Sequence, residues 1–179
     1  MLEEDDSGLL FAQHELAVAY QKDGQVQKAV RLLEAVVEVR DRMLQPDHPD
    51  RLASQHVLAQ AYLKDGQVQK AVRLLEAVVE VRDQVLQPDH PSRLASQHAL
   101  AIAYEADGQV QKAIELLEHV VTVEAHSLRD DDPSRLVSVE ALADMYAELA
   151  VNSAETPSSA SLESPTMAGS IDSAIQQCD

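Results

Sequence analysis

The stretch from residue 58 to residue 83 reads LAQAYLKDGQVQKAVRLLEAVVEVRD and holds two helical patterns around one Asp-Gly pair. Leu58 and Ala59 stand four and three residues before Tyr62, so the three side chains share one side of a helix. Apolar residues after the pair form a wide stripe on a second helix: Val68, Ala71, Val72, Leu75, Val78 and Val79. Gly66 can take the left-handed conformation that ends a helix, so the stretch predicts two helices joined by a tight turn.

The same pattern recurs along the chain with a period of 42 residues. Residues 24–65 and 66–107 differ at only seven of their 42 positions, a third copy from residue 108 is more divergent, and residues 9–23 match the end of a copy. A Tyr followed four residues later by a Gly recurs at the same step, and the last Tyr has no such Gly. These residues are Tyr20, Gly24, Tyr62, Gly66, Tyr104, Gly108 and Tyr146. A single helix pair cannot bury its apolar stripe, so we expect the copies to stack into a solenoid around one continuous core.

Two prolines separate each helix pair from the next. The segment Gln87-Pro88-Asp89-His90-Pro91 ends a helix, because Pro lacks a backbone N–H and disfavours helical conformation in the residue before it. We expect Asp89 or Ser92 to cap the helix that follows. The predicted fold is all-α with about seven helices. The predicted boundaries are an acidic lead at 1–8, an array at 9–150 with units at about 9–48, 49–90 and 91–132 and a terminal helix at 133–150, and a disordered Ser-rich tail at 151–179.

The composition excludes several functional classes. The chain has 31 acidic and 14 basic residues and a formal net charge of -17, so it repels the phosphates of nucleic acids. Its one cysteine, Cys178, excludes an intramolecular disulfide framework and a cysteine-based zinc site. No apolar run approaches the roughly 20 residues of a membrane span, and the acidic N-terminus is unlike a signal or transit peptide. The sequence predicts a cytoplasmic protein with no nucleic-acid partner, no membrane partner and no cofactor.

The order of Leu58-Ala59, Tyr62, Gly66 and Ala71 resembles the tetratricopeptide repeat (TPR) family. The resemblance implies a right-handed superhelix of antiparallel helix pairs that acts as a non-enzymatic scaffold for a protein or peptide partner. The period of 42 residues, longer than the usual period of about 34, resembles that of kinesin light chain. The segments that carry this likeness are 48–52 and 71–76. The variant Arg-Leu-Ala-Ser-Gln-His, at 51–56 and 93–98, is most similar to the C-terminal TPR arrays of fungal NLR-like proteins.

The resemblance also implies a ligand groove, because the first helix of each TPR pair lines the concave face. The candidate groove residues at the family's offsets are His14, Val18, His56, Gln60, Lys64, His98, Ile102, Glu105, Glu140 and Asp144. Beside them stand Phe11, Gln21, Lys22, Ala53, Leu63, Ala95, Ala106, Val137, Ala147 and Glu148. These positions form a ladder of three His that ends in an acidic patch. The ladder predicts either hydrogen bonds to an extended peptide or, the favoured alternative, side-chain packing that recent duplication has repeated.

Metal binding and catalysis find no support in the sequence. Stacked helices lie about 8–10 Å apart, which is too wide for His side chains at a 42-residue step to share a zinc ion. His48 and His90 are interpreted as turn residues, and the acidic run 130–132 as a solvated helix N-terminus. No phosphate-binding loop or nucleophile elbow is present.

An alternative function is structural. The chain would then be an oligomerising end-fragment of a larger NLR-like or kinesin light chain-like array. Leu9, Leu10, Phe11 and Leu16 have no preceding repeat to cover them in this sequence. They predict possible self-association through the uncapped N-terminal repeat.

Overall fold

A computed structural model describes residues 4–154 of the chain and the side chains of residues 7–151. Seven α-helices make up this part, and no strand occurs within it. In chain order they are α1 (Glu4–Lys22), α2 (Val26–Met43), α3 (Pro49–Lys64), α4 (Val68–Val85), α5 (Pro91–Ala106), α6 (Val110–Ser127) and α7 (Pro133–Ala154). Each helix packs against the next one along the chain. The predicted all-α solenoid of about seven helices is confirmed.

The first helices of the pairs lie on the inner side of the stack. The contacts show this directly, because α1 touches α3 and α3 touches α5, in addition to the second helices between them. The second helices α2, α4 and α6 each lie between two first helices. One Leu from each of them, Leu33, Leu75 and Leu117, is fully buried at the same 42-residue step. The core therefore repeats with the sequence.

The turn inside each pair follows the sequence prediction. Gly24, Gly66 and Gly108 all have a φ of 75°, a left-handed conformation that residues with a Cβ rarely adopt. In the second copy, the backbone N–H of Gln67 donates to the carbonyl of Tyr62 at 2.8 Å, which closes the end of α3. The Gly is thus required by the backbone conformation of the turn.

The cap of the first helix is not the predicted one. His90 is the N-cap of α5, and its Nδ1 accepts a hydrogen bond from the backbone N–H of Ser92 at 3.1 Å. His48 caps α3 in the same way. The prediction of Asp89 or Ser92 was wrong because the residue before Pro91 is held in an extended conformation, which brings its own side chain over the first turn. In the third copy Asp132 stands at this position, and its Oδ1 accepts from the backbone N–H of Ser134 at 2.9 Å.

The first and last helices of the array extend further than the sequence predicted. The helix α1 begins at Glu4, inside the predicted lead, and α7 continues to Ala154, beyond the predicted end of the array. Residues 147–154 contain no Pro or Gly, so nothing in the local sequence stops α7 there. The rest of the predicted tail, 155–179, lies outside the described residues. No helix in the described part is long and apolar enough to span a membrane.

Candidate binding groove

A cavity of about 860 Å³ opens on the inner side of the stack. Its walls come from the first helices α3, α5 and α7, the end of α6 and the loops before α5 and α7. The lining residues are His56, Gln60, Leu63, Lys64, Asp89, Pro91, Leu94, Ala95, His98, Ala99, Ile102, Glu124, Leu128, Asp132, Pro133, Ser134, Val137 and Ser138. The cavity has the size and the mixed apolar and polar lining of a typical ligand site.

Five of the ten candidate groove residues line this cavity: His56, Gln60, Lys64, His98 and Ile102. Of the residues predicted beside them, Leu63, Ala95 and Val137 also line it. The other five candidates lie outside it. His14 and Val18 belong to α1, Glu105 to the end of α5, and Glu140 and Asp144 to α7. The structure therefore brings together the middle of the predicted groove and leaves its two ends apart.

The histidines at the 42-residue step are partly buried. Burial, together with the positive charge of Arg82, lowers the pKa of His56 to about 4, so this ring is neutral near pH 7. Burial likewise lowers the pKa of His14 and of His98. The Nδ1 atoms of His14 and His56 have no hydrogen-bond partner among the described residues, whereas Nδ1 of His98 lies 3.2 Å from Oγ of Ser138.

A buried arginine joins neighbouring pairs in the first two copies. Arg40, at the end of α2, donates to the carbonyl of Asp50 at 2.8 Å and hydrogen-bonds Oγ of Ser54. Arg82, at the end of α4, does the same to the carbonyl of Ser92, at 2.7 Å, and to Oγ of Ser96. Both arginines are at least nine-tenths buried. The guanidinium group therefore has partners at each of these two boundaries.

The third copy has a carboxyl group at this position. Glu124, at the end of α6, stands 42 residues after Arg82, is 3% exposed and lines the cavity. Its Oε2 has no hydrogen-bond partner in the described part of the chain. Burial raises the pKa of Glu124, which the neighbouring hydroxyl of Ser138 and the charge of Arg135 oppose. The sequence prediction missed Glu124 because it considered only the first helices. The series Arg40, Arg82 and Glu124 was visible in the repeat alignment.

The surface beyond the cavity is acidic toward α7. Burial and then the charges of Glu148 and Asp144 raise the pKa of Glu105, which shows that these carboxylates repel one another. The sequence has the same asymmetry, since residues 24–65 carry six acidic and six basic side chains and residues 108–149 carry nine and three. The inner side is therefore more negative at its C-terminal end.

The cluster at Ser138 lacks the order of a catalytic triad. In a Ser-His-acid triad the imidazole lies between the hydroxyl and the carboxylate. Here the hydroxyl of Ser138 lies between His98 and Glu124, and it also donates to the carbonyl of Ser134 at 3.1 Å. Within residues 7–151, no group of three or more His, Cys, Asp and Glu side chains is placed to hold a metal ion.

The sequence model of the tetratricopeptide repeat matches residues 9–84 and 58–123. The chain belongs to the tetratricopeptide repeat family. TPR proteins are typically protein-interaction scaffolds and are generally non-enzymatic. No curated protein matches the chain.

Several solved structures are similar to the chain. The crystal structure of a kinesin light chain-like protein from Podosopora anserina, with nearly identical TPR-like repeats, has a TM-score of 0.75 and 57% sequence identity; the match covers 81% of this chain and 69% of that chain. The TPR domain of Sgt2 from Aspergillus fumigatus has a TM-score of 0.56 at 20% identity, covering 93% of this chain and 90% of the other. BtubC from P. vanneervenii has a TM-score of 0.66 at 13% identity, covering 99% and 74%.

The last two structures are similar in fold alone. The predicted membership of the TPR family with kinesin light chain-like repeats is confirmed, and the likeness to fungal NLR-like arrays stays a prediction.

Proposed function

We propose that this TPR protein is a non-enzymatic scaffold that binds an extended peptide, or an extended segment of a protein partner, in the inner groove. The cavity of about 860 Å³ between α3, α5 and α7 is the observation that supports this function. Apolar side chains on its walls, among them Leu94, Ile102 and Val137, offer contact area to the side chains of a peptide. Polar groups such as Gln60 stand among them and offer hydrogen bonds to its backbone.

The neutral histidines suit this function. His56 is uncharged near pH 7, so a peptide that covers it does not have to displace water from a charged group. Some groove positions also differ between the copies, although His14, His56 and His98 are the same. Gln60 and Ile102 stand at equivalent places and differ, whereas Leu33, Leu75 and Leu117 are the same in every copy. Differences at positions such as these allow a groove to recognise a particular sequence of peptide residues.

A peptide-array screen with the full chain, followed by calorimetric titration of the best peptides, tests the proposal. Ala95 is exposed and lines the cavity, so Ala95→Trp fills the groove, and we expect it to weaken binding at least tenfold. The matched control is Ala77→Trp, because Ala77 is exposed on α4 and lies outside the cavity lining. A protein that binds no peptide more tightly than about 1 mM, or whose binding survives Ala95→Trp unchanged, contradicts the groove function.

We propose self-association as a second candidate function, supported by the apolar surface at the start of the array. Leu9, Phe11 and Leu16 of α1 are 57%, 62% and 46% exposed. Side chains of this size pack against a partner surface when one is available. We expect sedimentation to show a concentration-dependent dimer that Phe11→Glu converts to monomer, while Val85→Glu, at another exposed apolar position, leaves the dimer intact. A wild-type monomer at millimolar concentration contradicts this candidate.

A further inference from the structure

Glu124 replaces, in the third copy, the buried arginine that the first two copies share. In those copies a guanidinium group bridges the hydroxyl of Ser54 or Ser96 and a backbone carbonyl in the first turn of the next helix. In the third copy the hydroxyl of Ser138 and the carbonyl of Ser134 are still present and hydrogen-bonded to each other, but no guanidinium group reaches them from α6. A positive group is therefore missing from a place built around one in the other copies.

The carboxyl group of Glu124 is left incompletely bonded. The side chain is 3% exposed, and Oε2 has no hydrogen-bond partner within residues 7–151. A buried carboxyl oxygen without a donor is costly, and a charged donor offers the strongest bond it can form. The nearest arginine of α7, Arg135, is bonded to Asp130 and to the carbonyl of Leu128. The chain itself thus leaves Oε2 of Glu124 buried and without a donor, in a side chain that lines the cavity.

The surrounding charges favour a cation over an anion. Asp89, Glu124 and Asp132 line the cavity and Lys64 is the basic residue among its lining side chains. The imidazole of His56 is neutral near pH 7 and does not compete for the carboxylate. Beyond the cavity the inner surface carries the mutually repelling carboxylates of Glu105 and its neighbours on α7. An acidic peptide would meet repulsion at this end of the groove.

The apolar walls match the stem of a long basic side chain. Leu94, Ile102 and Val137 line the same cavity as Glu124. Arg and Lys cover apolar surface with their methylene groups while the charged end reaches a polar partner. A free small amine would use the carboxylate but not these walls.

We infer that the end of the groove between α5, α6 and α7 is a pocket for the Arg or Lys side chain of a basic peptide, with Glu124 as its counter-ion. This inference rests on the proposed peptide-binding function and adds the chemistry of the partner to it. The cationic head bonds the carboxyl group of Glu124, the stem lies on Leu94, Ile102 and Val137, and the rest of the peptide runs along the inner side toward α3.

Calorimetric titration of a capped octapeptide set with the full chain tests the pocket. One position at a time carries Arg, Lys, citrulline, Leu or Glu in an otherwise constant background. Citrulline keeps the shape of Arg and removes its charge. We expect one position at which Arg or Lys binds at least tenfold more tightly than citrulline, and agmatine alone to bind much more weakly than the peptide.

Two substitutions at Glu124 connect this preference to the pocket. Glu124→Gln keeps the size of the side chain, and we expect it to remove the preference for Arg over citrulline while leaving the citrulline peptide unchanged. Glu124→Arg restores the residue of the first two copies, whose guanidinium group bonds the Ser hydroxyl and a backbone carbonyl, and we expect it too to remove the preference for Arg over citrulline. Glu115→Gln is the matched control, because it removes the same charge from an exposed position on α6. Thermal unfolding of each variant establishes that it is folded.

The possible outcomes distinguish a failure of the cation pocket from a failure of the proposed peptide-binding function. If peptides bind without a preference for a basic residue, or if Glu124→Gln and Glu115→Gln have the same effect, the cation pocket is wrong and the peptide groove stands. If agmatine binds as tightly as the peptide, the site recognises a small amine and the peptide part of the inference is wrong. If no peptide binds at all, the proposed function itself is contradicted.

Discussion

The second and third copies of the repeat carry opposite charges at one buried position beside the groove. Their buried apolar positions are mostly conserved: Leu75 and Leu117 are both fully buried in equivalent places, although Ile114 replaces Val72 and Met145 replaces Ala103. At the end of the second helix, however, Arg82 gives way to Glu124, and both side chains are buried. Equivalent backbone positions in the two copies thus carry a basic side chain in one and an acidic side chain in the other. The comparison shows that stacking constrains the core of each copy, while the boundary with the next first helix accepts different chemistry.

The largest expected effect tests the shared core. Leu75→Ala and Leu117→Ala each remove a fully buried side chain from an equivalent place. We expect each variant to lose about 3 kcal/mol of unfolding free energy, because the lost burial and the cavity left behind add up. Urea unfolding measures both. Leu136→Ala, at an exposed position on α7, is the control and should change little. A large loss in one copy and none in the other would show that the two cores are not equivalent.

The second-largest expected loss of stability tests the boundary between α4 and α5, where Arg82 is buried. Arg82→Glu places the third copy's side chain into the second copy, where the hydroxyl of Ser96 and the carbonyl of Ser92 then lose their buried donor. We expect a loss of about 2 kcal/mol in urea unfolding, since a buried charge is left without its partners. The reciprocal variant, Glu124→Arg, should be neutral or stabilising. Equal losses from the two exchanges would contradict the idea that the position is built around a guanidinium group.

Acid should destabilise the protein through His56. The pKa of this ring is about 4 in the folded protein, below the ordinary value of 6.5, so the unfolded chain binds its proton first. The contribution of the neutral ring is complete above about pH 6.5 and is lost as the pH falls toward 4, by at most about 3 kcal/mol. Glu124 acts in the opposite sense, because its raised pKa makes the folded protein less stable as the carboxyl ionises.

Unfolding of His56→Gln across this pH range measures how much the neutral ring contributes to the free energy of unfolding. We expect the variant to lose less stability than the wild type between pH 6.5 and pH 4. His119→Gln is a control at an exposed His on α6. Unchanged pH dependence in His56→Gln would contradict the buried, neutral state of the ring.

The smallest expected effect compares two equivalent tyrosines. The hydroxyl of Tyr62 donates to Oε1 of Glu34 at 2.7 Å, and the ring is 8% exposed. Tyr146 donates to Glu118 in the same way but is 45% exposed. We expect Tyr62→Phe to cost about 1 kcal/mol in thermal unfolding, a typical value for one hydrogen bond, and Tyr146→Phe to have no measurable effect. A larger effect at Tyr146 would contradict the role of burial.

Much of the fold could be predicted because its causes are local. The helix spacing of Leu58 and Tyr62, the breaking Pro91 and the left-handed Gly66 each act within one or two turns of chain, and all three predictions hold in the structure. The cap at His90 could not be predicted from residue preferences, because it depends on the ring nitrogen that the turn before Pro91 presents. The helix α7 continues past its predicted end at 150, because residues 147–154 contain no Pro or Gly to stop it.

The candidate site was predictable only in part. The offsets of the first helices placed His56, His98 and Ile102 in one groove, and the structure brings these three around one cavity. Glu124 was missed because it belongs to a second helix, whose end reaches the cavity only after the next pair has stacked against it. Its neighbour Ser138 is 14 residues further along the chain, across a loop.

The sequence by itself determined the period, the helix pairs and the residues that form the core, because regular spacing and turn chemistry act over a few residues. Only the tertiary structure decided which side chains meet where one pair stacks on the next. Glu124 is buried, and its Oε2 is left without a hydrogen-bond partner, because α5, α6 and α7 meet around it. Electrostatic and hydrogen-bonding energies depend on those distances and on excluded water, which no pattern within one repeat contains.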